Sequence, residues 1–446
     1  MNIFKTLLYF AVCAVSAIAV SCAKENPDSE EPSESLNIID LRSAGKEISG
    51  TPAYNLSDCK VEGAEKTLKS LRYVEPLPIY YMDYYAKVDW NSLIKDPEDR
   101  YAVDDIESLT ADVDALLYNK APAKSVLPSK GACSGFICFN QEGDLLVGRN
   151  FDGDTEPLVV VFNKAVGPGE HRSLIMTDLQ MMQGIFGESY EHDGCLLEKG
   201  RNLNVLLRQP FLVVDGMNDA GLCLAVYQLP SFQGGALPEE EGPGVTERPV
   251  SVDQNTGKKQ LPQLIALRKI LTESATVEDV VALLQSYDYT NMLVSGNMHW
   301  LVADAKGDWR ILEYWRGSDG KDSLIVLDED ARYKAAYQPV GFIPYEYRCI
   351  ENYYCNKEAT LTFVSDFWQC SYTTKARVSN MMRHYSPVMT EEEALRCLQF
   401  GNYGIEVPNE VTDWSCVYNT RKKTMIFNMR DDLSTVYSVD LNKDLW

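Results

Sequence analysis

The sequence predicts an α+β protein in which strands outnumber helices. Strand-like apolar runs recur from about residue 133 onward, and helical patterns fall in blocks that do not alternate with them. That arrangement indicates layers of sheet and helix rather than repeated strand–helix–strand units. Hydrophobic residues make up 45% of the 446 positions, which is ample material for a large buried core.

The charge balance of the chain indicates which kinds of partner it can bind. The chain has 42 Lys and Arg against 65 Asp and Glu, a formal net charge of −23. A protein that binds nucleic acid through its phosphates needs clustered basic residues, so a nucleic acid partner is not expected. The hydrophobic and aromatic content also excludes disorder as the main state.

The first 36 residues are predicted to direct export and anchoring. Lys5 precedes an apolar run, Leu7–Val20, that is short for a membrane span. The run ends in Ala19-Val20-Ser21-Cys22, which resembles a bacterial lipobox and makes Cys22 the candidate lipid-anchor residue. Ordinary signal cleavage stays open, because Ala19 stands where Leu is commoner. We therefore expect a signal peptide at 1–21, an acidic tether at 22–36, and a membrane-anchored lipoprotein in the periplasm or at the cell surface.

Residues 37–132 form a leading segment whose composition differs from that of the later chain. They are rich in aromatic residues, and apolar positions from Val103 to Tyr118 have helical spacing. Ala121–Ala132 contains two prolines and has no period, which is typical of an exposed loop that can be cut. We expect a partly helical pro-segment at 37–132 and a catalytic domain at 133–446.

The catalytic domain begins with a predicted β-hairpin, in which Cys133–Asn140 and Leu145–Asp152 flank the turn signal Gln141–Asp144. Further predicted strands are Leu158–Asn163, Phe211–Val214, Leu222–Gln228, Trp300–Asp304, Trp309–Tyr314, Ser415–Asn419 and Thr424–Met429. Predicted helices are Gln260–Thr272, Val277–Tyr287 with Thr276 as N-cap, and Glu391–Gln399. The Gly-, Pro- and Glu-rich stretch 233–254 is predicted to be a surface loop beside a site.

Cysteine and histidine usage does not favour a metal site. The chain has 12 cysteines and four histidines, with no CxxC pair and no HExxH motif. Most thiols are expected to be buried small hydrophobes. His299 is predicted to be a paired core histidine, and Asn218 a turn residue. No metal and no organic cofactor is predicted.

The predicted hairpin brings a thiol close to charged groups. A turn near Glu142 pairs residues whose numbers sum to about 285, so Cys133 lies across from Phe151 and Asp152, with Arg149 nearby. Arg149 and Asp152 differ in parity along the strand, and both can face Cys133 only if a bulge or the strand end intervenes.

A thiol needs a base before it acts as a nucleophile, and no histidine lies near Cys133 in sequence. A cut between Ala132 and Cys133 would create an α-amine, of reference pKa about 7.7–8.0, that can accept the thiol proton. Arg149 would favour the thiolate and Asp152 would orient the amine. The alternatives are an inert core thiol and a plain strand-end ion pair.

These residues resemble a known family. Cys133-Ser134-Gly135, followed by Gly148-Arg149-Asn150-Phe151-Asp152, is similar to the start of the choloylglycine hydrolase and penicillin V acylase family of N-terminal-nucleophile (Ntn) hydrolases. Acid ceramidase and N-acylethanolamine amidase are relatives. The likeness extends through Asp215–Leu222 to Trp414–Asp432 and covers residues 133–446. It implies a four-layer αββα sandwich.

The resemblance also implies roles for individual residues. Cys133 matches the nucleophile, and Arg149 and Asp152 match its supporting pair. Arg377 matches a later active-site arginine, with an ordinary solvated arginine as the alternative. Gln228 stands at the oxyanion-hole position, where its side-chain amide can donate a hydrogen bond, with an ordinary polar strand residue as the alternative.

Two tyrosines are candidate substrate contacts. Tyr227 precedes Gln228, and Tyr337 stands where the family's Thr-Asn motif has asparagine. The implied activity is hydrolysis of a linear amide C–N bond in a small molecule with a bulky apolar acyl group: a bile-acid conjugate, an N-acyl lipid or a penicillin V-like amide. Acyl transfer through the same thioester, and a non-catalytic ligand-binding lipoprotein, are the alternatives. A homo-oligomer is possible.

Overall fold

Nineteen strands lie within the part of the chain that the structure describes. This computed structural model describes residues 35–48, 54–77, 79–103, 105–121, 132–153, 157–164, 166–179, 203–229, 252–291, 298–328, 348–351, 355, 378, 380–402 and 411–446. In chain order the strands are β1 (Ile38–Asp40), β2 (Lys46–Glu47), β3 (Arg72–Val74), β4 (Ile79–Tyr84), β5 (Ala132–Phe139), β6 (Leu145–Gly153), β7 (Leu158–Asn163), β8 (Ser173–Asp178), β9 (Asp215–Asn218), β10 (Cys223–Gln228), β11 (Gln260–Pro262), β12 (Asp288–Thr290), β13 (Met298–Ala303), β14 (Trp309–Arg316), β15 (Asp322–Leu327), β16 (Cys349–Glu351), β17 (Val411–Asn419), β18 (Thr424–Met429) and β19 (Val436–Asp440).

The strands form two large sheets and one small parallel pair. Sheet 1 has seven strands in the order β1-β19-β18-β17-β6-β5-β16. Sheet 2 has ten strands in the order β15-β14-β13-β10-β9-β8-β7-β4-β3-β2. Strands β11 and β12 pair separately. Most neighbours are antiparallel, but β1–β19 and β4–β7 are parallel.

Helices are fewer, and five of the seven described ones begin at a side-chain cap. The seven are α1 (Leu41–Ala44), α2 (Ala64–Lys69), α3 (Ile106–Leu117), α4 (Gln263–Glu273), α5 (Val277–Gln285), α6 (Glu391–Gln399) and α7 (Leu441–Asp444), with 3₁₀ turns at Leu56–Asp58, Trp90–Leu93 and Leu203–Phe211. Thr276 and Thr390 each form a capping box with the acidic residue three positions later. These caps stand where the sequence predicted helix starts.

The two sheets pack face to face and carry helices on their outer sides. Apolar residues of both sheets, among them Val147 of β6 and Val160 of β7, form one core between them. Trp300 of β13, on the other face of sheet 2, packs with α2, α3, α4 and α5 in a second core. Helix α6 covers the outer face of sheet 1, where Asn150 Nδ2 donates to the Leu398 carbonyl at 3.0 Å. The predicted four-layer α+β sandwich is confirmed.

The leading segment contributes to both sheets. Strand β1 pairs with β19 at the edge of sheet 1, and β4 pairs with β7 inside sheet 2. Asn37–Trp446 accordingly forms one compact unit. The predicted helix in this segment is confirmed as α3, but the four strands were missed. The aromatic residues of β4 are buried core residues: Tyr80 and Tyr84 pack on the helix side and Tyr81 between the sheets.

Two predicted elements need correction. No strand covers Phe211–Val214, because a 3₁₀ turn ends at Phe211 and the strand begins only at Asp215. The helix predicted from Gln260 begins at Gln263, since Gln260–Pro262 pairs with β12 and Pro262 is the N-cap. Proline suits a helix start because the first N–H groups of a helix need no partner within it. None of the described helices is long and apolar enough to cross a membrane.

Candidate active site

The hairpin that carries Cys133 has the predicted register. Cys133 pairs with Phe151, and Gly135 pairs with Arg149, across β5 and β6. Residues directly opposite each other project from the same face of a sheet, so Cys133, Arg149 and Phe151 all face sheet 2. Cys133 is 3% exposed and Arg149 is fully buried.

Arg149 is the centre of the polar contacts in this region. Its Nη2 lies 3.4 Å from Cys133 Sγ and donates to the Val226 carbonyl of β10 at 2.8 Å. Its Nε lies 3.2 Å from Asp215 Oδ2, and both side chains are fully buried. One guanidinium therefore joins the thiol of sheet 1 to two strands of sheet 2.

Asp215 is a site residue that the sequence did not single out, since it was taken as part of a turn motif. Besides Arg149, it accepts hydrogen bonds from the Tyr418 hydroxyl and, at 3.3 Å, from Trp414 Nε1. Burial raises the pKa of Asp215, while Arg149 and the two aromatic donors act to lower it. An aspartate inside an apolar strand was the available signal, because such residues are rarely fully buried without a partner.

The environment holds the Cys133 thiol in its neutral form. Burial raises the pKa of Cys133 to about 11, against the opposing effect of Arg149. Asp152 and Asp215 add to the rise, and the backbone N–H of Gln228 reduces it by hydrogen bonding to the sulfur. In the continuous chain, Arg149 therefore lowers the thiol pKa as expected but does not overcome burial.

Asp152 lies on the face opposite to the thiol. Its cross-strand neighbour in β5 is Ala132, the residue just before Cys133. Thr412 Oγ1 donates to Asp152 Oδ1 at 2.7 Å, and the β17 register shifts between Thr412 and Trp414 at this point. The β5–β6 ladder itself has no register shift, so the bulge that would bring Arg149 and Asp152 to the same face is absent from this described hairpin, and the irregularity lies in β17. The Asp152 carboxylate is consequently held beside the main chain at the Ala132–Cys133 bond.

Strand β10 closes the site from sheet 2. Gln228, at the end of β10, is half-buried and directs its backbone N–H at the Cys133 sulfur. The Tyr227 side chain is fully buried, and its hydroxyl finds no hydrogen-bond partner among the described residues. A Cβ on Gly135 would lie 2.3 Å from that hydroxyl, so glycine at this position gives Tyr227 its room.

The remaining motif residues have structural roles. Asn150 points to the outer face of sheet 1, where it accepts a hydrogen bond from Ser415 Oγ at 2.7 Å and donates to Leu398 of α6. Gly148 leaves room for the Phe136 ring, 2.9 Å from where its Cβ would stand. Successive side chains of the Gly148–Asp152 motif therefore point in turn to the helix layer and to the side of sheet 1 that carries the Cys133 thiol. Phe151 stacks on Trp414 with ring centroids 4.2 Å apart, forming an apolar wall next to Cys133.

Two polar residues behave as the sequence predicted. His299 is fully buried, with Nδ1 2.9 Å from Glu313 Oε1, so it is a paired core histidine. Asn218 is a turn residue, because its Oδ1 accepts the N–H groups of Ala220 and Leu222. The seven buried cysteines among the eight described ones have no disulfide partner, which agrees with thiols used as small hydrophobes.

One cluster of potential metal ligands lies nearby. The ligand atoms of His299, Glu313 and Cys355 all lie within 4.8 Å of one another. Glu313 Oε1 also accepts the Cys355 backbone N–H at 2.6 Å. Burial acts to lower the pKa of His299, but hydrogen bonds to Cys355 and Glu313 outweigh it and raise that pKa to about 9. Because these groups bond to one another, we interpret the cluster as a structural contact that holds Cys355 against β13 and β14.

Strand β16 pairs with β5, the strand that carries Cys133, and Glu351 lies opposite Ser134. The contact at Cys355 thus fixes the chain four residues after Glu351, the last residue of β16. Arg377, Tyr337 and Cys22 lie outside the described residues, as do most of the predicted cleavable loop and the loop 233–254. The structure therefore brings together Cys133, Arg149, Tyr227 and Gln228, whereas Asp152 lies on the opposite face of β6.

Comparison with known proteins agrees with the sequence motifs. Residues 133–336 match the family described as linear amide C-N hydrolases, choloylglycine hydrolase family. No curated protein matches the chain. Penicillin V acylase from Agrobacterium tumefaciens is similar in structure, at 18% identity and a TM-score of 0.41, over 70% of this chain and 87% of that one. A mutant conjugated bile acid hydrolase from Clostridium perfringens has 13% identity and a TM-score of 0.42, over 70% and 93%.

Proposed function

We propose that the protein is an autoprocessed hydrolase whose nucleophile is Cys133, on the basis of the match of residues 133–336 to the linear amide C–N hydrolases of the choloylglycine hydrolase family. The observation that carries the proposal is the contact of 3.4 Å between Arg149 Nη2 and Cys133 Sγ. Arg149 is fully buried and is paired with the equally buried carboxylate of Asp215. A cation that close stabilises a thiolate.

Chain scission between Ala132 and Cys133 supplies the missing base. The new α-amine would lie next to Asp152, which is opposite Ala132 in the ladder. Asp152 is itself held by Thr412, so it can orient the amine. The amine takes the thiol proton, and no histidine is required.

The reaction then proceeds in two steps. The Cys133 sulfur attacks the amide carbonyl, and the C–N bond breaks as the protonated α-amine returns its proton to the leaving amine. Water next attacks the thioester carbonyl, the C–S bond breaks, and the carboxylic acid leaves with the thiol restored. Gln228 donates its side-chain amide to the tetrahedral oxyanion, while its backbone N–H stabilises the sulfur.

The leading segment stays bound after scission in this proposal. It adds β1 to sheet 1 and β2–β4 to sheet 2. A buried bidentate ion pair also joins it to the rest of the protein, with Arg208 Nε and Nη2 donating to Asp114 at 2.8 and 2.9 Å. Non-covalent retention is expected because sheet hydrogen bonds and buried area do not depend on the cut bond.

The substrate is proposed to be a small amide with a bulky apolar acyl group. The stacked Phe151 and Trp414 rings beside Cys133 offer an apolar surface of the right kind. Candidate compounds are bile-acid conjugates, N-acyl lipids and penicillin V-like amides. We further propose that Arg377 and Tyr337 complete the site.

Intact mass and N-terminal sequencing of the purified protein test this proposal. We expect a chain that starts at Cys133, co-purifying with the leading segment, and hydrolysis of at least one compound in a panel of taurine, glycine and fatty-acyl amides. Cys133→Ala should give one uncut chain without activity, whereas Cys138→Ala, which removes a buried thiol on the same strand, should be cut and active.

An uncut wild-type chain with full amidase activity would contradict the mechanism, and a cut, inactive one would favour the ligand-binding alternative. A new amide formed from an added acceptor amine would indicate acyl transfer.

We also propose that the protein is exported and held at a membrane by a lipid on Cys22. The support is the apolar run after Lys5 and the lipobox-like Ala19–Cys22. Cell fractionation tests it, because Cys22→Ala should move the protein from the membrane to the soluble fraction. An unchanged membrane association would argue against the lipid.

A further inference from the structure

Among the described residues, three arginines are almost fully buried, and one of them has no carboxylate partner. Arg149 pairs with Asp215 and Arg208 pairs with Asp114. Arg268 of α4 is 4% exposed, but no described carboxylate lies within ion-pair distance of it. Buried charges in proteins are normally paired, because an isolated one is costly. Arg268 therefore calls for a counter-charge.

The groups that touch Arg268 are neutral. Its Nη2 donates to Asn163 Oδ1 at 2.9 Å, and its guanidinium carbon lies 5.9 Å from the centre of the Tyr84 ring. Burial lowers the pKa of Arg268 to about 10, so the side chain stays charged at neutral pH. Glu170 acts on it only through longer-range attraction. Neither contact neutralises the charge.

Three hydrogen-bond donors in this region have no acceptor among the described residues. They are Arg268 Nη1, Asn163 Nδ2 and Ser173 Oγ. Asn163 at the end of β7 lies directly opposite Ser173 at the start of β8, so both face α4. The three side chains therefore share one small buried region beside the guanidinium. Such a set of donors around a cation suits a negatively charged acceptor.

We propose that Arg268, Asn163 and Ser173 bind a small monovalent anion, of which chloride is the commonest in solution. One negative charge would balance the guanidinium, and Arg268, Asn163 and Ser173 are at most 4% exposed, which favours a small anion over a bulky one. A water molecule would satisfy the donors but leave the charge unpaired. Because Tyr84 belongs to the leading segment, the anion strengthens the packing of β4 against the rest of the protein.

Thermal unfolding in chloride tests this proposal. The purified protein is titrated with sodium chloride against sodium gluconate at constant ionic strength, and Tm is recorded. We expect a saturable rise of about 2 °C in chloride. The rise should be absent in Arg268→Met, which keeps the apolar stem, and should persist in the matched control Glu170→Gln.

Crystals of the wild-type protein grown in bromide give an independent readout if Arg268→Met fails to fold. Bromide substitutes for chloride and is located by its anomalous signal, which we expect within hydrogen-bond distance of Arg268 Nη1. A water there without anomalous signal would overturn the proposal. So would a chloride response that survives Arg268→Met, or one that vanishes in Glu170→Gln, since Glu170 would then be the counter-charge.

Discussion

Replacing Asp215 by Asn removes the carboxylate behind Arg149 while keeping the side-chain shape. Arg149 Nε lies 3.2 Å from Asp215 Oδ2 with both side chains fully buried. Breaking such a pair costs about 3–5 kcal/mol. For the compact unit of about 410 residues, an unfolding entropy of about 2.1 cal/mol/K per residue converts this into a fall in Tm of about 3–6 °C.

The same change should make Cys133 more acidic. The sulfur contacts one end of the Arg149 guanidinium and Asp215 the other, so the sulfur and the carboxylate lie within roughly 9 Å. At an effective dielectric constant of about 20, two unit charges at that distance repel by about 2 kcal/mol. Losing this repulsion should lower the Cys133 pKa by about 1 unit, in the direction opposite to the rise that Asp215 causes.

Iodoacetamide labelling of Cys133 across pH measures this shift, with the labelled peptide quantified by mass spectrometry. Asp114→Asn is the matched control, because it breaks another buried arginine–aspartate pair that has no contact with the thiol. It should lower Tm comparably and leave the labelling profile unchanged. An Asp215→Asn protein with wild-type Tm and wild-type labelling would refute the reasoning, since Asp215 would then be neutral in the native protein.

Two further predictions concern His299 and Gln228. The pKa of His299 is raised from 6.5 to about 9, so its stabilising effect is complete below pH 6.5 and is lost as pH rises through 9. The free energy of unfolding should fall by roughly 3 kcal/mol across that window. His299→Gln should flatten this slope, and an unchanged slope in that variant would contradict the assignment. Gln228→Ala should lower kcat by about 10²–10³-fold, the usual cost of losing an oxyanion donor. The pH profile of thiol labelling should stay unchanged because the backbone N–H remains, and wild-type kcat would exclude the side chain as donor.

The sequence was most informative where structure depends on neighbours in the chain. The β5–β6 register is set by the short turn near Gly143, which has the positive φ of 78° that glycine tolerates. Helix α5 begins after the predicted N-cap Thr276, and α6 begins at the predicted residue Glu391. Segments with weaker local signals were missed. In β4 all but one of the residues are buried, so it lacks the polar–apolar alternation that identifies a half-exposed strand.

The sequence by itself determined the nucleophile candidate, its hairpin and the family resemblance, because a short motif with fixed spacing carries all three. Only the tertiary structure decided what surrounds the thiol. Asp215 is 66 positions from Arg149 along the chain, and Tyr418 and Trp414 are farther still, yet Arg149, Tyr418 and Trp414 all contact the Asp215 carboxylate. No local pattern encodes that contact, since it forms only when two sheets assembled from distant strands pack face to face. Whether a buried charge is paired, as at Arg149, or lacks a carboxylate, as at Arg268, depends on that same packing.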